Sequence, residues 1–196
     1  MAVNNGLTSS TVNRKKDDTD YAATPARAVK PLLSFIDINA KIWECTDTYG
    51  RSQIGKVFRK SGYKVHSSSI KTFDFLKDDI NTLFPIELRP DVIITNPPFN
   101  KKDAFIARCH EYYKKYKIKW ALLLPLTALE GVFRGRLFRE MKKDIGLIIY
   151  DRRINYTKQE GIWFNSSWFC CGLLPWPLIF IELKKEFENA FGIEGV

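Results

Sequence analysis

The run Asp91-Val92-Ile93-Ile94-Thr95 is the feature that most constrains how this chain folds. Its consecutive apolar residues leave no polar face for water, so the strand they form must be covered on both sides. Trp120 to Leu124, closed by Pro125, repeats the pattern, and Ile145 to Tyr150 reads as a further strand. Between such runs the apolar spacing becomes helical. Val29, Leu32, Leu33 and Ile36 form one face of a helix with Pro25 in its first turn. Ile54, Val57 and Phe58 make a second stripe, with Gly62 as carboxyl cap. Ala104 to Tyr116 turns Phe105, Ile106, Cys109 and Tyr113 inward, and another helix ends at Met141. Ile42-Trp43, Tyr63 to Val65, Ser167 to Leu173 and Leu178 to Leu183 supply the remaining strands. The alternation predicts a doubly wound α/β fold, a mostly parallel seven-stranded sheet covered on both faces. The last two strands have no helix between them, which predicts an antiparallel terminal hairpin. Ligands of such sheets bind beyond the carboxyl ends of the strands, so the loops after Trp43 and Thr95 are the ones to inspect.

A length of 196 residues suits one domain, large enough to bury roughly two-thirds of its unfolded surface. Residues 1–19 lack an apolar period and read as a flexible tail carrying Arg14, Lys15 and Lys16, with residues 20–196 as a single domain. The net charge of +9 makes nucleic acid the first partner to consider. Cys45, Cys109, Cys170 and Cys171 form no Cys-x-x-Cys pair, and His66 and His110 add no zinc spacing. They read as buried small residues in a reduced, cytoplasmic protein. The apolar stretch from Trp168 to Phe180 is broken by Gly172, Pro175 and Pro177, too often for a membrane span, and the polar start offers no signal core.

Beyond Thr95 comes Asn96-Pro97-Pro98-Phe99-Asn100. Two prolines fix φ twice and remove two donors, so the loop is stiff and presents bare carbonyls. The Asn96 side-chain oxygen beside the Pro97 carbonyl can accept the two hydrogens of an exocyclic amino group. Doing so turns the nitrogen lone pair toward an electrophile and stabilises the positive charge that develops. Phe99 offers a flat face on which an extruded base can stack, worth about 1–3 kcal/mol. Lys101 and Lys102 follow at once and could hold the nucleotide backbone. Arg134, Arg136 and Arg139, and Arg152-Arg153, are further basic groups. Trp163, Phe164 and Trp168 read as packing residues.

Asn96-Pro97-Pro98-Phe99 resembles the catalytic motif of the amino methyltransferases, class I enzymes that modify adenine N6 or cytosine N4 in DNA. The chain over about residues 20 to 184 is similar to the short adenine methyltransferases of phages and prophages. The resemblance implies that Asn96 and Pro97 bind the target amino group, with Pro98 in the same rigid corner, and that Phe99 stacks on the base. It also implies S-adenosylmethionine as cofactor. On this reading Tyr21, Thr24 and Pro25 lie around its methionine end, Glu44, Thr46 and Gly50 belong to the strand-tip loop, Asp74 and Phe75 contact the adenine, and Asn96 also belongs to the cofactor site. Thr48 stands where the family has its first glycine, and Ser69 where it has an acid for the ribose hydroxyls. A lost carboxylate–hydroxyl hydrogen bond costs about 1.5–3 kcal/mol, or one to two decades of affinity. No metal or covalent intermediate is called for. The residues after Phe99 are used up by the core, so no separate recognition domain is expected; specificity is loose or comes from a protein partner. A related enzyme acting on RNA adenine, cytosine N4 or glutamine, and a non-catalytic nucleic-acid-binding scaffold, are the alternatives.

Overall fold

The computed structural model describes residues 24–47, 50, 52–156 and 165–184. The tail expected over 1–19, Tyr21, Thr48, Trp163 and Phe164 lie outside the described residues. In chain order the elements are α1 (Ala26–Val29), β1 (Lys41–Glu44), α2 (Gln53–Lys60), β2 (Lys64–Ser67), α3 (Ile80–Leu83), β3 (Val92–Thr95), α4 (Lys102–Tyr116), β4 (Lys119–Pro125), α5 (Val132–Met141), β5 (Ile145–Tyr150), β6 (Ser166–Cys171) and β7 (Leu178–Ile181). The expected first helix is α only as far as Val29. Pro31 has no amide to donate, and the chain continues from Lys30 to Phe35 as tighter 3-10 turns. Pro25 caps α1 at φ −65°, and Gly62, at φ +89°, follows α2 in the left-handed region as a carboxyl cap requires.

The seven strands form one sheet in the order β2-β1-β3-β4-β6-β5-β7. β1 is parallel to β2 and β3, β3 to β4, and β5 to β7. Alternate residues of the central strands feed two cores. Ile93, Trp120, Leu122 and Leu124 join Phe105, Cys109, Leu137 and Met141 on the α4–α5 face. Val92, Ile94, Ala121 and Leu123 join Val29, Leu32, Ile54 and Phe58 on the α1–α2 face. β3 is thus buried from both sides, as its composition requires. On α4 the core position expected of Tyr113 belongs to Tyr112, which also carries the neighbouring Trp43 and Phe75 rings; Tyr113 is half-buried. All four cysteines are buried and free. Among the described residues no helix is long and apolar enough to cross a membrane.

The antiparallel pairing lies elsewhere than in a terminal hairpin. β6 pairs antiparallel with both β4 and β5, and β7 pairs with β5 instead of β6. The burial patterns explain the placement. Every residue of β6 is buried, which only an interior strand provides, whereas β7 exposes Leu178 and Phe180 as an edge strand can. To reach that edge the chain turns at Gly172, φ +72°, and crosses β5 at Gly146. A Cβ on Gly146 would stand 3.2 Å from the carbonyl oxygens of Trp176 and Pro177 and from the Leu174 side chain. The Pro177 carbonyl also accepts from the Leu147 amide at 2.9 Å, so that backbone has little room to retreat. Gly146→Val is therefore expected to lower stability by about 1–3 kcal/mol in urea denaturation. A loss below about 0.5 kcal/mol would mean that the crossing yields.

Candidate active site

β1 and β3 are adjacent and parallel, with Ile42 opposite Val92 and Trp43 opposite Ile93, so their carboxyl tips emerge side by side. Glu44 ends one and Thr95 the other. The Glu44 side chain turns into the protein and is 1% exposed. Its Oε1 accepts from the Thr46 amide at 3.0 Å, the Thr46 hydroxyl at 3.0 Å and the Thr95 hydroxyl at 2.6 Å. Its Oε2 accepts from the Ser52 hydroxyl at 2.9 Å. Ser52 caps α2, taking the Ile54 amide on its hydroxyl and giving its own amide to Asp47 at 2.8 Å. One carboxyl group therefore fastens together the β1 tip, the start of α2 and the residue before Asn96.

Burial raises the Glu44 carboxyl above the usual carboxylate range, and the hydrogen bonds from Thr95, Thr46 and Ser52 offset that only in part. The Thr46 and Thr95 hydroxyl oxygens lie 2.5 Å apart and both reach Oε1.

Between the two tips and α4 opens a cleft of about 240 Å³. Thr46, Asp74, Asn96 and Lys101 give it polar edges. Ile70, Phe75, Leu76 and Phe105 give it apolar walls, with Cys45 and Pro98 completing the lining. Phe75 is held rigidly, stacked on Phe105 with centroids 5.0 Å apart and edge-on to Trp43 at 5.2 Å. Asp74 accepts from the Leu76 amide at 3.1 Å and lies 3.4 Å from the Lys77 ammonium. Burial pushes the Cys45 and Cys109 thiols well up, which leaves neither available as a thiolate nucleophile.

Of the residues singled out from sequence, Thr46, Asp74, Phe75, Asn96, Pro98 and Lys101 meet around this one cleft. The others among the described residues stand outside its lining. Pro97 is buried beneath the corner, and Phe99 is half-buried at the start of a 3-10 turn, Phe99–Lys101, that runs into α4. Lys102 reaches back toward the Phe99 carbonyl at 3.4 Å. Thr24 is buried, Pro25 caps α1, and Gly50 takes φ +65° with open space where a Cβ would be. Ser69 is buried just beyond β2, its carbonyl accepting from the Thr72 and Phe73 amides. Arg134 is engaged internally with Asp103 at 2.7 Å, and Arg152 pairs with Asp151. Sequence reasoning missed Ser52 and Thr95, whose role comes from distant strands meeting, and Ile70, an exposed loop residue with no sequence signal. Phe105 was legible only as a core position.

Because the folded protein holds the Glu44 proton more tightly than the unfolded chain, this group's contribution is full below the ordinary carboxylate range. It is lost as pH rises through the raised folded value. Glu44→Gln keeps the acceptor oxygen, offers Ser52 a donor in place of Oε2, and stays neutral. Its stability, from urea midpoints across a pH series, should fall less with rising pH than that of the parent; identical slopes would contradict a raised Glu44. Glu44→Ala, which orphans several donors, is expected to cost about 2–4 kcal/mol.

No family model and no curated protein matches the chain in sequence. Solved structures match it in fold. A modification subunit assigned to a type I restriction enzyme of Vibrio vulnificus YJ016 aligns with TM-score 0.52 and 11% identity over 89% of this chain. The methyltransferase subunit of a type I restriction-modification system from Streptococcus thermophilus aligns with TM-score 0.53 and 14% identity over 80%. A protein described as a class I S-adenosylmethionine-dependent methyltransferase from Listeria monocytogenes aligns with TM-score 0.52 and 15% identity over 85% of this chain and 67% of its own. The chain spans about half the length of the two type I subunits, 49% and 46%. What the likeness establishes is the fold: this chain has the class I methyltransferase architecture.

Proposed function

We propose that this protein is an S-adenosylmethionine-dependent methyltransferase that modifies the N6 amino group of adenine in DNA. The observation carrying the proposal is that Asn96 and Pro98, at the tip of a central parallel strand, open onto the same cleft as Thr46, Asp74 and Phe75. The residues present fit an adenine-bearing cofactor: a narrow slot with apolar walls at Ile70, Phe75, Leu76 and Phe105 and a carboxylate, Asp74, at its edge. Gly50 leaves room for close backbone approach at the strand-tip loop. When bound, the cofactor supplies an electrophilic methyl group on a sulfonium sulfur.

Asn96 and the Pro97 carbonyl are assigned the two amino hydrogens of the target adenine. Held by these two acceptors, the adenine nitrogen would present its lone pair to the methyl group that a bound cofactor would supply, and the displaced amino proton would pass to water. Glu44 acts as a positioning residue, holding the Thr95–Asn96 junction against the strand-tip loop. Lys101, on the cleft edge, is suited to a phosphate of the extruded nucleotide. The charge of +9 supports a nucleic-acid substrate. Two of the structural neighbours are subunits of larger systems, which supports a protein partner that supplies specificity. A bacterial or phage-infected cytoplasm is the proposed setting. One observation favours a second reading, a non-catalytic nucleic-acid-binding scaffold: Ser69 is buried where a ribose-binding acid is expected, and Glu44 is committed internally.

Transfer of labelled methyl groups to DNA, RNA and protein, measured side by side, tests the proposal. DNA adenine should be the acceptor, and Asn96→Ala should slow transfer by about 10²–10³-fold, with a smaller change in cofactor affinity. DNA methylation that survives this substitution would remove the role given to the loop.

A further inference from the structure

The connection from β4 to α5 carries an apolar tip that folding does not explain. β4 pairs Leu122 with Thr95 and then runs on for three residues, Leu123 to Pro125. β4 therefore overhangs the β3 tip by about 10 Å, at the end of the sheet where the cleft opens, and the turns to α5 follow it. There Leu129 is 47% exposed, Val132 93% and Phe133 40%.

This tip is rigid. The Arg134 side chain, largely buried, donates to the Ala128 carbonyl at 2.8 Å, to the Glu130 carbonyl and to Asp103 at 2.7 Å. Gly131, at φ +127°, makes the turn, and the Gly135 amide bonds the Gly131 carbonyl at 2.8 Å. Asp103 lies in the first turn of α4, two residues after Lys101 on the cleft edge. The apolar tip is thus bolted to a wall of the cleft. Its surroundings are basic: residues 129–143 hold Arg134, Arg136, Arg139, Lys142 and Lys143 against Glu130 and Glu140. The Arg136 guanidinium lies 5.7 Å from the Phe133 ring centre.

We infer that this tip is a wedge for double-stranded DNA, with Val132 and Phe133 entering the base stack where the target adenine is drawn out. An extruded base leaves a gap and costs a few kcal/mol of stacking; apolar side chains inserted between base steps offset that cost, and neighbouring cations hold the strands. A rigid mount suits the task, because a mobile loop would lose conformational entropy on insertion. The inference rests on the proposed function, in that a base-modifying cleft is what makes extrusion necessary.

The test is binding of the whole chain, without cofactor, to labelled oligonucleotides of one sequence. The forms are a matched duplex, the same duplex with mispaired adenines, and the single strand. The unaltered chain should bind the mispaired duplex more tightly than the matched one. The double variant Val132→Ser, Phe133→Ser, altered only at exposed positions, should bind the matched duplex about tenfold more weakly, equivalent to about 1.4 kcal/mol, with single-strand affinity within about twofold. Equal losses on duplex and single strand would overturn the wedge, as would no loss on any form, which would make the tip a surface for a protein partner. Absence of duplex binding by the unaltered chain would overturn it as well. Because no methyl transfer is measured, a chain with the wedge signature that never methylates would defeat the proposed function alone. A methylating chain indifferent to the double substitution would defeat the wedge alone.

Discussion

A single buried carboxyl group joins the two loops on which the site depends. Glu44 sits where the β1 tip, the β3 tip and the start of α2 converge, and it touches a residue from each. A charge there is expensive to bury, and the hydrogen bonds it accepts offset only part of that cost. Burial therefore raises the Glu44 carboxyl, and its hydrogen bonds fix the relative position of the strand-tip loop and the proline corner. The proposed methyl transfer requires such fixity, since displacement by an ångström of a group that orients a lone pair is costly.

The sheet order serves the same end. Placing β6 in the interior pairs β4 as far as Pro125, so β4 runs three residues beyond the β3 tip with β6 still beside it. The overhang carries the β4–α5 connection beyond the β3 tip, and Arg134 ties that connection to α4. Phe75, stacked on Phe105 and edge-on to Trp43, stiffens another wall. The cleft is therefore bounded by elements that the core itself immobilises.

Much of this was legible in the sequence because burial on two faces leaves a strong imprint. Ile145 to Tyr150 shows its strand by composition, and Asp91 to Thr95 could only be central. The proline corner was readable for a related reason: prolines restrict backbone so tightly that the local geometry follows from the residues. The partner of β6 was not readable. Two apolar runs separated by a short connection suggest a hairpin, and only competition for the interior position places β5 between them. Nor could Glu44 be read as turning inward. An acid at a strand end looks the same whether it faces a ligand or its own threonines, and Thr95 lies 51 residues away. Tyr112 and Tyr113 are adjacent and chemically alike, so a small rotation of α4 decides which is buried.

The proposed chemistry requires the cleft between the β1 and β3 tips to receive S-adenosylmethionine. Calorimetric titration of the purified chain with this cofactor measures that claim directly. One-to-one saturable binding, even if one to two decades weaker than a ribose-binding acid in place of Ser69 would give, is the predicted result. No heat of binding at millimolar cofactor, from a folded protein, would contradict it and leave the architecture as a scaffold without its chemistry.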